Sequence, residues 1–355
     1  MSASTSSSGS PEPGLRAALA LSLARGVGPA RQRALIEEHG SAAAALRARP
    51  AAEARSLERT AEALLADVGR AGIVALHTGD ERYPERLREL DDAPAVIWTI
   101  GDLALLGAPM VAIVGTRRCT AYGERVTREL ATALARAGVC VVSGMALGID
   151  AAAHESALVE RGRTIAVLGT GVDVPYPAGH RALHARLAND GLLISEALPG
   201  APARPGAFPR RNRLIAALAP VLIVVEAGTA SGALITARVA LDLGRTIAAV
   251  PGPIDQPQSA GSNELLRDGA VVIATIDDAL ALVGATSRTY AVHAEPVPDD
   301  PDSAAVWRTL AGGALDMDAL CAHSRLPAAR CLQAVTMLEL AGRVECALTG
   351  EIRRR

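Results

Sequence analysis

The stretch "GAFPRRNRLIAAL" holds the residues with most chemistry to offer. Phe208 is the only phenylalanine among 355 residues, in a chain that is 2% aromatic. Arg210, Arg211, Asn212 and Arg213 follow it almost at once. A ring can carry a stacked nucleobase, worth roughly 1–3 kcal/mol. An arginine fork matches the oxygens of a phosphate, and an asparagine can anchor the loop that carries both. On that reading Phe208 is a platform, with Arg211 and Arg213 clamping a nucleic-acid backbone. The same residues admit a plainer reading, with Phe208 plugging the following helix and the arginines pairing with Glu196 or Glu226. A Pro-flanked loop is a poor place to bury a ring, which favours the platform.

A second concentration lies in "VGTRRCTAYG". A dinucleotide fingerprint needs G-x-G-x-x-G after the first strand. Here only Gly115 stands at the turn, and Arg117 and Arg118 fill places where glycines are required, which argues against NAD. A glycine turn with arginines at a strand's carboxyl end still suits a phosphate. Further small-residue turns follow other apolar runs. They carry Ser143, Gly144 and Gly148 in "SGMALGID", Ser231, Gly232 and Thr236 in "EAGTASGALITA", and Ser259, Gly261 and Asn263 in "PGPIDQPQSAGSNELL". Gathered at one edge of a parallel sheet, such turns offer N–H groups and hydroxyls to successive phosphates.

Enzymatic constellations are missing. There is no G-x-S-x-G elbow, and a chain without lysine cannot form a P-loop. His180 and His184 are spaced i, i+4 without the carboxylate of H-E-x-x-H, and read as an exposed helix face. Asp150 and His154 read as a helix cap and a satisfied neighbour. The five cysteines form no C-x-x-C pair, which fits a reducing compartment and argues against zinc. No cofactor or metal is expected.

The elements that must position these residues follow from hydrophobic pattern. Continuous apolar runs at 110–115, 138–144, 164–169, 191–196, 220–226, 246–252 and 270–274 alternate with amphipathic helical segments. Strands buried on both faces and spaced by helices mean an α/β fold, an extended Rossmann-like, mostly parallel sheet over 71–285. Before it, 15–70 read as short helices. There Gly26-Val27-Gly28 and Pro29 resemble a helix-hairpin-helix turn, or a plain helical packing module. Residues 1–14 form a polar tail, 286–302 a Pro-rich linker, and 303–355 three helices and a hairpin, expected as a winged helix. Its third helix carries one arginine, so protein contact fits it better than DNA. Net charge is -2, so any nucleic-acid binding must be local. No apolar run reaches the ~18 residues of a spanning helix, so a cytoplasmic, membrane-free protein is expected.

Taken in order, "VAIVGTR", "VVSGMALGIDAAAH", "TIAVLGTGVDVPYP", "FPRRNRLIA", "VVEAGTASGALITA" and "PGPIDQPQSAGSNELLRDGA" resemble the DNA-processing protein A family, DprA or Smf. The resemblance covers about 15–350. It implies a single-stranded DNA-binding protein that is not an enzyme, protects incoming strands and loads RecA recombinase in natural transformation, usually as a dimer. It implies a DNA pocket with Arg117, Phe208–Arg213 and the turns at 143–148, 231–232 and 259–263. Where relatives often bring a lysine, Arg204 or Arg210 is the available cation. The usual "SGSLITA" reads "SGALITA", leaving a methyl at Ala233. The competing expectation is a nucleotide phosphoribohydrolase of the lysine-decarboxylase-like (LOG) type. That type carries P-G-G-x-G-T-x-x-E, and "VVEAGTASGALITA" lacks its paired glycines after proline.

Overall fold

A computed structural model of the protein describes residues 13–160, 163–285, 298–310, 313, 315–347 and 350–354. The described residues fall into two compact units, the larger reaching residue 285 and the smaller beginning at residue 298.

The larger unit begins with four helices, α1 (Pro13–Ser22), α2 (Pro29–His39), α3 (Ala42–Arg47) and α4 (Ala51–Arg70). As the glycine and proline spacing predicts, Gly28 is the N-cap of α2 and Pro29 its first residue, where a missing N–H costs nothing. The sheet opens with β1 (Val74–His77), a short α5 (Glu85–Arg88) and β2 (Val96–Gly101). An alternating series follows: β3 (Met110–Val114), α6 (Ala121–Arg136), β4 (Cys140–Ser143), α7 (Ile149–Val159), β5 (Thr164–Leu168), α8 (Arg181–Asp190) and β6 (Leu192–Ser195). It continues through α9 (Ala207–Leu218), β7 (Val221–Val224), α10 (Gly232–Asp242), β8 (Thr246–Ala249), α11 (Ala260–Arg267), β9 (Val271–Val272) and α12 (Ile276–Leu282).

The nine strands form one sheet in the order β1-β2-β6-β5-β4-β3-β7-β8-β9. Strands β3 to β9 pair in parallel, and the two earliest join antiparallel through β2 and β6. Each expected apolar run supplies a strand. The antiparallel pair was not expected, because only its inner half reads as apolar: β1 is exposed at Val74 and buried at Leu76 and His77. After β3 the chain steps outward through β4, β5 and β6, then returns to lay β7 on the other side of β3. That reversal opens a crevice at the carboxyl ends of β3 and β7, where open α/β sheets bind ligands.

One face of the sheet is covered by α9 and α10, with Leu214, Ile215, Leu218, Ala233 and Ala237 packed on β3 and β7. On the other face Leu19, Leu46 and Leu65 share a core with Val96, Trp98, Leu168 and Leu193. The helices of the N-terminal module therefore pack directly on the sheet of the large unit. Trp98 on β2 is the side chain that draws them in, being fully buried between helices and sheet.

In the smaller unit α13 (Pro301–Thr309), α14 (Met317–Ser324) and α15 (Ala328–Leu340) precede the antiparallel hairpin of β10 (Val344–Cys346) and β11 (Ile352–Arg354). Val306, Trp307, Leu320, Val335, Leu338 and Ile352 form its core, giving the winged-helix arrangement the sequence predicts. The single arginine of α15, Arg330, is held by both oxygens of Asp302 at 2.5 and 2.6 Å.

Candidate nucleic-acid interface

The crevice between β3 and β7 is an open cleft of about 560 Å³. Its floor is the turn after β3, with Gly115, Thr116 and Arg117, and one wall is α9 through Arg211, Asn212 and Ile215. The opposite wall is the turn 228–231 and the start of α10, including Ser231, Gly232, Ala233 and Thr236. Gly115 is required by crowding: a Cβ there would lie 2.6 Å from Ile149 Cγ1 and 2.8 Å from the Glu226 carbonyl oxygen. That close approach lets Thr116 N–H donate to Glu226 O at 2.7 Å and fixes the two strand ends together.

Two helices open on this cleft. Gly148, at φ +75°, caps α7 where a Cβ would strike the Thr116 carbonyl oxygen at 2.5 Å. Ser231 caps α10, its Oγ accepting from Ala233 N–H at 3.3 Å. Helix starts carry partial positive charge and first-turn N–H groups that favour anions. To these the cleft adds Arg117, which is exposed and, among the described residues, paired with no carboxylate. Its guanidinium lies 5.8 Å from the centroid of the Phe208 ring, a cation–π contact that fixes a mobile side chain without neutralising it. Phe208 itself stacks on Tyr176, centroids 4.9 Å apart and planes inclined by 30°.

Beneath the cleft runs a buried polar network. Asp150 accepts from the N–H groups of Gly144 at 3.2 Å and Ala146 at 3.3 Å. Burial pushes its pKa up, against the opposing pull of Arg211. Arg211 donates to the carbonyls of Gly144 at 2.5 Å and of Val167, and burial lowers its pKa to about 10. It therefore stays charged at neutral pH. Met145, at φ +56°, donates its N–H to His154 Nε2 at 3.3 Å. That acceptor role leaves the proton on Nδ1, which donates to Thr164 Oγ1 at 2.7 Å, and Thr164 passes its own to Val141 O. Burial holds His154 neutral, its pKa lowered to about 3. The turn 143–148 is thus pinned from below by three side chains.

Comparison with known proteins meets this geometry. The pattern described as DNA recombination-mediator protein A matches residues 74–284. The DprA-like N-terminal HHH domain matches 15–73, and the DprA winged helix domain 292–347. The chain belongs to the DNA-processing protein A family. It is 44% identical over 270 residues to the putative DNA processing protein DprA of Mycobacterium tuberculosis, covering 74% of this chain and 69% of that one. The crystal structure of DprA from Streptococcus pneumoniae superposes with a TM-score of 0.65 at 32% identity, over 75% of this chain and 95% of that one. DprA from Helicobacter pylori, whose structure addresses its single-stranded DNA binding mode, superposes with a TM-score of 0.55 at 35% identity, over 60% of this chain and 96% of that one.

Within this chain the expected site residues separate into three groups. Gly115, Arg117, Arg211, Asn212, Ser231, Gly232 and Thr236 line the cleft, with Phe208 beside it through Arg117. Arg118 is exposed one residue further on, its N–H held by Thr116 Oγ1 at 3.3 Å. Ser143, Gly144 and Gly148 shape the floor from behind. The Ser143 hydroxyl is buried and donates to Ile113 O at 2.7 Å, so it presents nothing to a ligand.

The third group needs correction. Arg213 is no backbone clamp: it is buried, with Glu196 on one side and Asp92 at 3.0 Å on the other. Arg210 bridges to the same Glu196 at 3.1 Å on the outer surface. Arg211 reaches the cleft only as its buried support. The cause is that 207–218 is helix α9, Pro209 sitting in its first turn, rather than a loop. At 100° per residue Phe208, Arg211, Asn212 and Ile215 share the cleft face while Arg210 and Arg213 turn away.

Ser259, Gly261 and Asn263 also lie outside the cleft. Asn263 grips Gly252 through both its amide atoms, at 2.9 and 3.1 Å. Gly261 N–H donates to Ala227 O at 2.7 Å, and Ser259 is fully buried against Gly252. This turn braces the end of β8 against β7, and Pro257 is its one residue on the cleft. Nor do His180 and His184 make an exposed face: their rings bond the carbonyls of Met145 at 3.1 Å and Val172 at 2.9 Å. Glu226 is buried, crowded against Gly123.

Asp150 is the only carboxylate among the described residues lining the cleft, and its oxygens hold backbone N–H groups. Aligned on Gly228-Thr229, the glutamate position of the LOG-type motif falls on Gly232, which has no side chain. The sequence reading passed over Thr116, Thr229 and Tyr176. The signal for the first two was present: each is a hydroxyl residue directly after a glycine in the turn that follows a strand.

Proposed function

We propose that the cleft binds single-stranded DNA, with phosphates held at Arg117, Arg118 and the start of α10, and bases stacked on the aromatic rim at Phe208. The observation that carries this reading is the unpaired Arg117 guanidinium lying over Phe208 at the mouth of a cleft formed by two helix N-termini. Charge and ring together suit a flexible strand, whose phosphates and bases are both accessible. A duplex hides its base faces and is a poorer fit. Ser231, Gly232, Asn212 and Thr236 supply neutral polar contacts, with Arg204 an exposed cation in the segment before α9.

In this reading the protein works by binding and hand-over, without catalysis, in natural transformation or recombination in the cytoplasm. It loads RecA recombinase onto the strand it protects. Membership of the recombination-mediator family supports the RecA step. Homodimerisation is supported by a groove lined by Leu234, Ile235, Leu241, Ile247 and Val271 between α10, α11 and the edge strand β9. Ile235 is 50% and Leu241 66% exposed there. No described helix is long and apolar enough to cross a membrane.

The deciding experiment is fluorescence anisotropy of a labelled dT oligonucleotide against its duplex. Tight, salt-dependent single-strand binding supports the reading. Its absence, or release of free base from a nucleoside monophosphate, would overturn it.

A further inference from the structure

Phe208 is already well surrounded. Gly169 approaches so closely that a Cβ there would lie 3.0 Å from Phe208 Cδ1. Arg117 stands over the ring at 5.8 Å and Tyr176 stacks against it at 4.9 Å. Of the two rings, Tyr176 is the more open, 40% exposed against an intermediate Phe208. A base arriving at this rim meets Tyr176 as well as Phe208.

The segment carrying Tyr176 is built to stay in place. Ser195 Oγ donates to Thr170 O at 2.6 Å, and Thr170 Oγ1 donates to Val174 O at 2.7 Å. Gly171 N–H donates to Ala201 O at 2.8 Å, and Asp173 accepts from Gly200 N–H at 2.7 Å. Beyond Tyr176, His180 N–H donates to Pro177 O at 2.9 Å, while the His180 ring bonds the Met145 carbonyl. The ring is therefore held on a braced rim, and a surface so ordered loses little freedom on binding. Among the described residues no hydrogen bond engages the Tyr176 hydroxyl, and the stack on Phe208 orients the ring.

We propose that Tyr176 is a second base-contacting ring of this site, forming with Phe208 a two-ring ledge on which the bases of a bound single strand stack. The inference rests on the single-strand reading above. It assigns the outer stacking surface to Tyr176 and makes Arg117 the link between ring ledge and phosphate-holding cleft. Because the ring is neutral, its contribution is independent of salt, unlike that of Arg117.

The test is anisotropy with a labelled dT oligonucleotide across a salt titration, using wild type, Tyr176→Leu and Tyr176→Phe. Tyr176→Leu should weaken binding roughly tenfold, within the range of one lost base–ring stack. Its salt slope should be unchanged, and Tyr176→Phe should match wild type. An unaltered affinity in Tyr176→Leu, or an equal loss in Tyr176→Phe, would overturn the proposal. Absence of binding by wild type would instead remove the single-strand reading itself. A thermal melt shows whether Tyr176→Leu is folded. If it is not, photocrosslinking of wild type to a 5-iododeoxyuridine oligonucleotide decides. A crosslink at Tyr176 supports the ledge, and crosslinks elsewhere alone reject it.

Discussion

Two of the clusters that place arginine over an aromatic ring do opposite things. In the smaller unit Arg343 and Arg354 lie 4.4 and 4.0 Å from the Trp307 ring, Trp307 is 4% exposed, and Arg354 Nε also donates to its carbonyl at 2.9 Å. In the larger unit Arg117 lies over Phe208 beside an exposed Tyr176 and an open cleft. The same pair of residue types closes a core in one place and furnishes a rim in the other. What separates them is whether the strand ends beneath leave a void. The winged helix fills its interior with Val306, Leu320, Val335 and Ile352, whereas the sheet reverses direction at β3 and β7.

The largest effect that would sharpen this contrast is at Trp307. Trp307→Ala should destabilise the smaller unit by about 3–5 kcal/mol, the usual result of emptying a buried aromatic site. Single-strand affinity should stay within twofold. A chemical melt resolved by unit, with anisotropy alongside, checks both, and a large loss of affinity would break the comparison.

The next effect is one of pH, beneath the cleft. His154 is held neutral with its pKa lowered to about 3. A depressed histidine binds its proton more readily unfolded than folded, so its contribution is present above the unfolded value of ~6.5 and is lost as pH falls below it. Between pH 7 and pH 5 this amounts to roughly 2 kcal/mol. Urea midpoints at the two pH values should show that difference shrinking in His154→Gln, and an equal acid loss in the variant would refute the assignment.

At the rim itself, Phe208→Leu should lower single-strand affinity roughly tenfold, or about 1.4 kcal/mol, with little change in thermal midpoint. A fall in stability with affinity intact would make Phe208 a packing residue like Trp307. Smallest is Arg117→Ala, expected to weaken binding severalfold at low salt and reduce the salt slope by about 0.7. Arg213→Ala is the contrasting control. It should leave that slope alone and lower stability, because it removes the buried cation shared by Glu196 and Asp92.

Much of the architecture was legible because it rests on local pattern. Runs such as "MVAIVG" and "PVLIVVE" have no polar face, so they could only be strands covered on both sides. Gly28-Pro29 announces the start of α2 as plainly as any cap can. The cleft was legible through Gly115 and Arg117, since a glycine turn and a cation at a strand end have few other uses. Less was legible at Phe208–Arg213. Pro209 reads as a loop signal, yet the first turn of a helix tolerates proline. Once the segment is helical, Arg211 turns to the cleft side while Arg210 and Arg213 turn away to Glu196. Asn263 misled for a related reason. Hydroxyl and amide groups in turns serve the backbone as readily as a ligand, and only their partners distinguish the two.

By itself the sequence determined the class of fold, the order of its units and the family, since these depend on hydrophobic period, turn residues and motif order along the chain. Tertiary structure alone decided which cations remain free. Glu196 takes Arg210 and Arg213, the sheet end takes Arg211, and Arg117 is left facing the cleft. Those partners lie between 14 and 67 residues away in sequence, and no local pattern encodes a pairing made across folded strands.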